Sequence, residues 1–216
     1  MNIIKKLIKF NFVKSRGNKK IEYIVIHDTG NTRAGAGANN HYLYFNGGDR
    51  QASAHYFVDD KEILQLVEDE NTAWHCGDGK GKYNITNQNS IGIETCVNSD
   101  GDYSKALLKT IELTAYLMDK HSIPLNKVVR HYDASKKNCP ASMSKNNWEA
   151  WNGFKVALKR EVDNNSNKVK INFKGKELKI DGYLKDGSNY VKIRELLEAM
   201  GHKVDWNNNT KTVIVK

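Results

Sequence analysis

No stretch of this 216-residue chain approaches the apolar length, about 20 residues, needed to cross a membrane. The leader, residues 1–12, mixes Lys5, Lys6 and Lys9 with Ile3, Ile4, Leu7 and Ile8. It has neither the uninterrupted apolar run nor the small-residue cleavage site of a secretory signal, so it reads as a segment that packs on the domain. Cysteine is scarce: Cys76, Cys96 and Cys139, an odd number at irregular spacing, which is no disulfide framework. There are no internal repeats. Zinc-finger spacing, a recognition-helix pattern and an aromatic–glycine RNA-binding motif are all missing, so the net charge of +9 does not point to nucleic acid. It fits other anionic partners, such as a wall rich in phosphate polymers.

The charge is uneven. Residues 1–163 carry +4 and residues 164–216 carry +5. Strand and helix patterns alternate along the first part. Residues 22–27 (E-Y-I-V-I-H) form an apolar run typical of a buried strand. A Gly-, Ala- and Asn-rich loop follows over 31–40, then a short helix over 40–45. Residues 54–58 and 62–67 predict a hairpin around Asp59-Asp60-Lys61. A long polar loop over 76–90 leads to a strand over 91–97. Ser104 is placed to cap a helix reaching His121, with Pro124 beyond its end. A last short strand covers 128–131 and an amphipathic helix covers 151–162. This order predicts an α/β domain with a mixed central sheet flanked by helices. Residues 163–167 (D-N-N-S-N) read as a linker. Residues 168–216 then predict a small α+β domain: strands at 169–173 and 177–180, a helix over 191–200 stopped by Gly201, and a hairpin from 203–206 and 212–215.

The residues that carry chemistry are His27, Glu94, His131, Lys137 and Cys139. His27 sits where an apolar strand runs out, and such a position presents a side chain from a rigid scaffold. His131 ends a second strand, with Cys139 eight residues later. Two imidazoles and a thiolate suit a catalytic zinc with one position left for water. Each residue alone also has a plain structural explanation: a strand-end histidine, or a cysteine acting as a small buried hydrophobe.

Five ordered motifs sharpen the reading: I-V-I-H-D-T-G (24–30), A-S-A-H-Y-F-V-D (52–59), A-W-H-C-G (73–77), I-G-I-E (91–94) and R-H-Y-D-A-S-K-K-N-C-P (130–140). Together they resemble the type 2 N-acetylmuramoyl-L-alanine amidases, over roughly residues 20–160. That family includes phage endolysins, wall-recycling amidases and animal peptidoglycan-recognition proteins. The resemblance implies the amidase type 2 fold and zinc held by His27, His131 and Cys139. It implies Glu94 as general base and Lys137 as the cation facing the oxyanion. It also implies a substrate groove lined by the A-W-H-C-G stretch, where Trp74 and His75 touch substrate, although Trp74 reads equally as a core aromatic. His55 is grouped with them as a substrate-binding candidate, and Cys76 and Cys96 read as bystanders. Some phage members carry a catalytic tyrosine where this chain has Ala54, which leaves Glu94 as the base. The implied reaction is hydrolysis of the amide between N-acetylmuramic acid and L-alanine in bacterial peptidoglycan. A phage or prophage lysin would be made in the host cytoplasm and act on the wall after release, without membrane insertion. Oligomeric state is left open.

The tail, from V-K-I-N-F-K-G-K-E-L to the final V-I-V, is similar to the copper amine oxidase N-terminal-like domain. His202 is its one histidine and it has no cysteine, so copper chemistry is not implied. Its expected role is non-catalytic wall targeting. Two alternatives to the lysin stay open: a cytoplasmic muropeptide-recycling amidase, which needs no targeting module, and a peptidoglycan receptor without metal, which Cys139 disfavours.

Overall fold

The computed structural model describes residues 1–166 and 168–216. The chain divides into two compact units, Met1–Lys159 and Arg160–Lys216.

In the first unit the leader contributes two short strands, β1 (Ile3–Lys5) and β2 (Phe12–Val13). β3 (Tyr23–Asp28) runs through the core, with Ile24, Val25 and Ile26 inaccessible. A strand buried on both faces reads as a continuous apolar run, which is why this segment does not alternate. Helix α1 (Ala38–Asn46) follows, then β4 (Tyr56–Val58) and β5 (Ile63–Gln65), paired antiparallel. The short β6 (Thr72–Ala73) pairs with β2. β7 (Ser90–Thr95) comes next, then helix α2 (Tyr103–His121). The cap of α2 is Asp102, whose side chain accepts from the Lys105 N–H at 3.1 Å, not Ser104. Aspartate one turn ahead of the periodic residues is the stronger N-cap, and its charge suits the helix dipole. β8 (Val128–Arg130) leads directly into a one-turn helix, α3 (His131–Ser135), and α4 covers Lys145–Ser166.

The six-stranded sheet has the order β1-β5-β4-β7-β3-β8. β4, β7, β3 and β8 run parallel to one another, while β5 runs against β4. The sheet is therefore mixed, and the leader packs onto its edge beside β5. Helix α1 lies over β4 and β5, where Ala38, Phe57, Leu64 and Leu66 form one apolar cluster. Helix α2 buries Ile111, Leu113, Leu117 and Met118. Register decides what stands at the sheet's end. Ile26 pairs with Arg130 and His27 with Glu94, so the carboxyl ends of β7, β3 and β8 bring Glu94, His27 and the start of α3 side by side. The crevice beyond the carboxyl ends of parallel strands is where open α/β sheets bind ligands.

Residues 163–166, read from sequence as part of a linker, continue α4; Asn167 lies outside the described residues. The second unit holds a three-stranded antiparallel sheet of β9 (Lys168–Phe173), β10 (Lys176–Lys185) and β11 (Ser188–Val191). Helix α5 (Ile193–Ala199) and a hairpin of β12 (Val204–Asn207) and β13 (Thr212–Val215) complete it. Val191 thus ends strand β11 and Lys192 caps the helix, where the sequence pattern begins the helix at residue 191. Asp186-Gly187, with φ of 50° and 75°, supplies the hairpin turn that joins β10 to β11. Gly201 follows α5 at φ 95°, the left-handed stop expected of it. Among the described residues, the buried apolar ones here are Leu178, Ile180 and Val204, a small core as suits so small a unit.

Candidate metal centre

The sheet's carboxyl end and the chain after it gather three buried ligand groups. One ligand atom from each of His27, His131 and Cys139 lies within 4.8 Å of the others. Among the described residues no other group of His, Cys, Asp or Glu does this. β3 supplies His27 at its penultimate position, α3 supplies His131 at its first, and the loop after α3 returns Cys139. That return is pinned by backbone bonds: the Tyr132 N–H donates to the Cys139 carbonyl at 3.0 Å, and the Cys139 N–H to Lys137 at 2.7 Å. Arg130 and Asp133 clamp the turn, with the Asp133 carboxylate accepting from the Arg130 backbone N–H and guanidinium.

The His27 imidazole turns Nδ1 toward the thiol. His27 Nδ1 is 3.7 Å from Cys139 Sγ. His131 Nε2 donates to Asp78 Oδ1 at 2.8 Å; a carboxylate can only accept, so this nitrogen carries the proton and Nδ1 is bare. His131 Nδ1 is also buried without a partner. Such an orphan costs about 1–3 kcal/mol, and a metal ion is a partner for it. Burial first, then His75, His131 and Lys137, lowers the His27 pKa well below the ordinary histidine range, so its ring is neutral as a ligand must be. Burial, together with the carboxylate of Glu94, pushes the Cys139 thiol up to about 12 in the absence of a cation. A bound divalent cation reverses that balance and makes the thiolate stable. Two neutral imidazoles, a buried thiol and an unpartnered ring nitrogen fit zinc.

Glu94 stands beside this set, its Oε1 3.9 Å from His27 Nδ1. Its other oxygen is buried without a partner. Burial and then Asp28 push its pKa up to about 8, against the pull of Lys137. Lys137, Trp74, His75, Asp78, Asn87 and His131 line an open cleft of about 420 Å³. A larger hollow, about 840 Å³, lies in the second unit beside the stacked, exposed pair Tyr183 and Tyr190. The cleft, not this hollow, adjoins the ligand cluster.

Of the residues expected to touch substrate, Trp74 is partly exposed at the cleft wall. His75 is mostly buried, with Nδ1 3.1 Å from His27 Nε2 and Nε2 3.2 Å from Ser90 Oγ. His55 does not reach the cleft at all: it has no exposed surface. Its Nδ1 accepts from the Gly92 N–H at 3.0 Å, and its backbone bonds β7 and the chain after β5. It is a core histidine that joins strands, and the expectation of substrate contact is corrected. Cys76 and Cys96 are buried free thiols outside the cluster.

Three contributors escaped the sequence reading. Asp78 orients His131 from within the polar loop. Asn87 Oδ1 accepts from the backbone of both His75 and Cys76, fixing the cleft wall. Arg16, buried, donates to the carbonyls of Asp69, Gln88 and Ser90 and so ties the leader to the β7 entrance. The one sequence signal for Asp78 is a carboxylate in a Gly-rich loop, which is common in solvated turns.

Comparison with known proteins places the chain in a family. The N-acetylmuramoyl-L-alanine amidase family matches residues 17–142, and the copper amine oxidase N-terminal domain family matches residues 156–216. The chain belongs to the N-acetylmuramoyl-L-alanine amidase family. It is similar to the amidase XlyA of Bacillus subtilis (strain 168), with 40% identity over 136 residues that cover 63% of this chain and 43% of that protein. The amidase CwlH of the same organism is 39% identical over 132 residues, 61% of this chain and 50% of the relative. The chain thus spans half or less of the length of these curated relatives. Among solved structures, the XlyA catalytic domain superposes with a TM-score of 0.64 at 37% identity, covering 73% of this chain and 99% of that one. The PlyG catalytic domain gives 0.62 at 32% identity, covering 75% and 96%.

Proposed function

We propose that this protein is a zinc-dependent N-acetylmuramoyl-L-alanine amidase that cleaves the bond joining glycan and peptide in bacterial peptidoglycan, acting as an endolysin. The observation that carries the reading is the convergence of His27, His131 and Cys139 beside Glu94 at the end of the sheet, in a chain of this family. His27 Nδ1, His131 Nδ1 and Cys139 Sγ would hold the metal. A bound zinc supplies Lewis acidity, polarising a carbonyl and making water acidic enough to attack near neutral pH.

The chain's own groups do the rest. Glu94, whose ionised form a bound cation would favour, takes the proton from the attacking water and returns it to the departing L-alanine nitrogen. Its unpartnered buried oxygen leaves a position free for that proton. Lys137, at the cleft wall, places positive charge where the carbonyl oxygen becomes negative. Asp78 holds His131 in the ligating tautomer. Trp74 offers a flat apolar face to the sugar or stem peptide. The second unit, strongly basic for its length, serves as a wall-targeting module. No helix among the described residues is long and apolar enough to cross a membrane.

Elemental analysis combined with amine release from purified sacculi tests the reading. One zinc per chain, and amine release abolished by a chelator and restored by zinc, is expected. Tight sacculus binding without zinc or amine release would make the protein a receptor instead.

A further inference from the structure

His75 was expected at the substrate, yet its two ring nitrogens are occupied inside the protein. Following the bonds from their far end fixes every proton. The Thr86 carbonyl can only accept, so Ser90, fully buried, donates its one hydroxyl proton there. Ser90 Oγ must then accept from His75 Nε2, 3.2 Å away, which places the His75 proton on Nε2. His75 Nδ1 is therefore bare and accepts from His27 Nε2 at 3.1 Å. That places the His27 proton on Nε2 and leaves Nδ1 bare, facing Cys139.

We infer that His75 and Ser90 are positioning residues: a neutral relay, Thr86–Ser90–His75–His27, that locks His27 in the tautomer able to bind metal through Nδ1. The inference rests on the metal-site reading above. It deepens that reading by giving His27 the counterpart of what Asp78 gives His131, without a second negative charge beside the site. The packing around the relay is committed to it. A Cβ on Gly92 would lie 2.5 Å from the His75 ring, so the glycine of I-G-I-E makes room for this imidazole. Asn87 holds the His75 backbone from the other side. Partners of this kind fix ring orientation and ligand basicity, and losing one costs about 10–100-fold in metal affinity.

The direct test is nitrogen NMR of the His75 ring in the zinc-loaded protein. A proton on Nε2 and a bare Nδ1 are expected; a proton on Nδ1 overturns the inference. Competition titration with a chelator gives the second readout. His75→Leu is expected to bind zinc about 10–100-fold more weakly than the native chain. His75→Asn, whose amide oxygen can replace Nδ1 as acceptor, is expected to recover part of that loss, and Ser90→Ala to show a smaller loss. A folded His75→Leu with native zinc affinity and a raised KM would make His75 a substrate contact and overturn the relay. If His75→Leu does not fold, the ring protonation in the native chain decides. A native chain that binds no zinc fails the metal reading itself, an outcome distinct from native zinc binding with the opposite His75 tautomer.

Discussion

His27 and Glu94 stand opposite each other in register across the parallel strands β3 and β7, with His27 Nδ1 3.9 Å from Glu94 Oε1. The pairing places the proposed metal ligand and the proposed proton acceptor side by side on two strands of the central sheet, where neither moves without the sheet. The acid–base group and the ligand set are therefore separable by mutation.

Glu94→Gln is expected to keep zinc and fold while amidase turnover falls by about 10²–10⁴. The amide matches the carboxylate in shape but cannot take the proton. Elemental analysis and turnover on purified peptidoglycan, measured on one preparation, check this. A zinc-loaded Glu94→Gln with native turnover removes Glu94 from the mechanism.

Cys139→Ala should lose most of the bound zinc, because a deprotonated ligand and its charge both disappear. The two imidazoles that remain are neutral. Full occupancy in the purified variant would mean that the ligand set is wrong.

The His55 pKa is pushed down to about 3 by burial first and then by Arg16. In the unfolded chain its pKa is near the ordinary value of about 6.5. Between these values the unfolded state binds the extra proton, so the stability His55 contributes is full above about pH 6.5 and is lost as pH falls toward 3. The loss is about 1.4 kcal/mol per pH unit, or roughly 2 kcal/mol by pH 5. Denaturant unfolding at pH 7 and pH 5 should show a smaller fall for His55→Gln than for the native chain. Parallel losses in both would assign the acid sensitivity elsewhere.

Much of this was legible in the sequence, for identifiable reasons. β3 announced itself because a central parallel strand must be apolar on both faces, and His27 because it broke that run at its end. His131 and Cys139 were singled out from ligand type together with motif order, and the structure brings them together with His27. The roles of His75 and His55 were not legible, since both sit in motifs of the same look. What distinguishes them is burial and bonding: His55 is fully buried and bonds Gly92 and Asn71, while His75 lines the cleft with its ring nitrogens on Ser90 and His27. Asp78 was hidden because its partner is 53 residues away. In the tail, β11 was missed because the Asp186-Gly187 turn was overlooked and Val191 was read as the start of the helix.

A chain ending at residue 163 is expected to remain a folded amidase. Every group assigned to the site precedes that point, and the buried residues of α4, Trp151, Phe154 and Leu158, are retained. Removing 164–216 takes away more than half the net charge. Wall binding should drop most at low salt, since exposed charges are screened beyond about 8–10 Å near physiological ionic strength. Co-sedimentation with walls over a salt series measures this. Equal binding by both chains at every salt concentration would make the second unit a structural appendage.

The central claim is the identity of the bond cut, and mass spectrometry of the products from purified peptidoglycan reads it directly. The zinc-loaded protein should release stem peptides with a free L-alanine amine and leave glycan whose muramic acid lactyl groups end in carboxylate. Products cut within the peptide or within the glycan, or intact peptidoglycan after incubation with zinc-loaded protein, would contradict it.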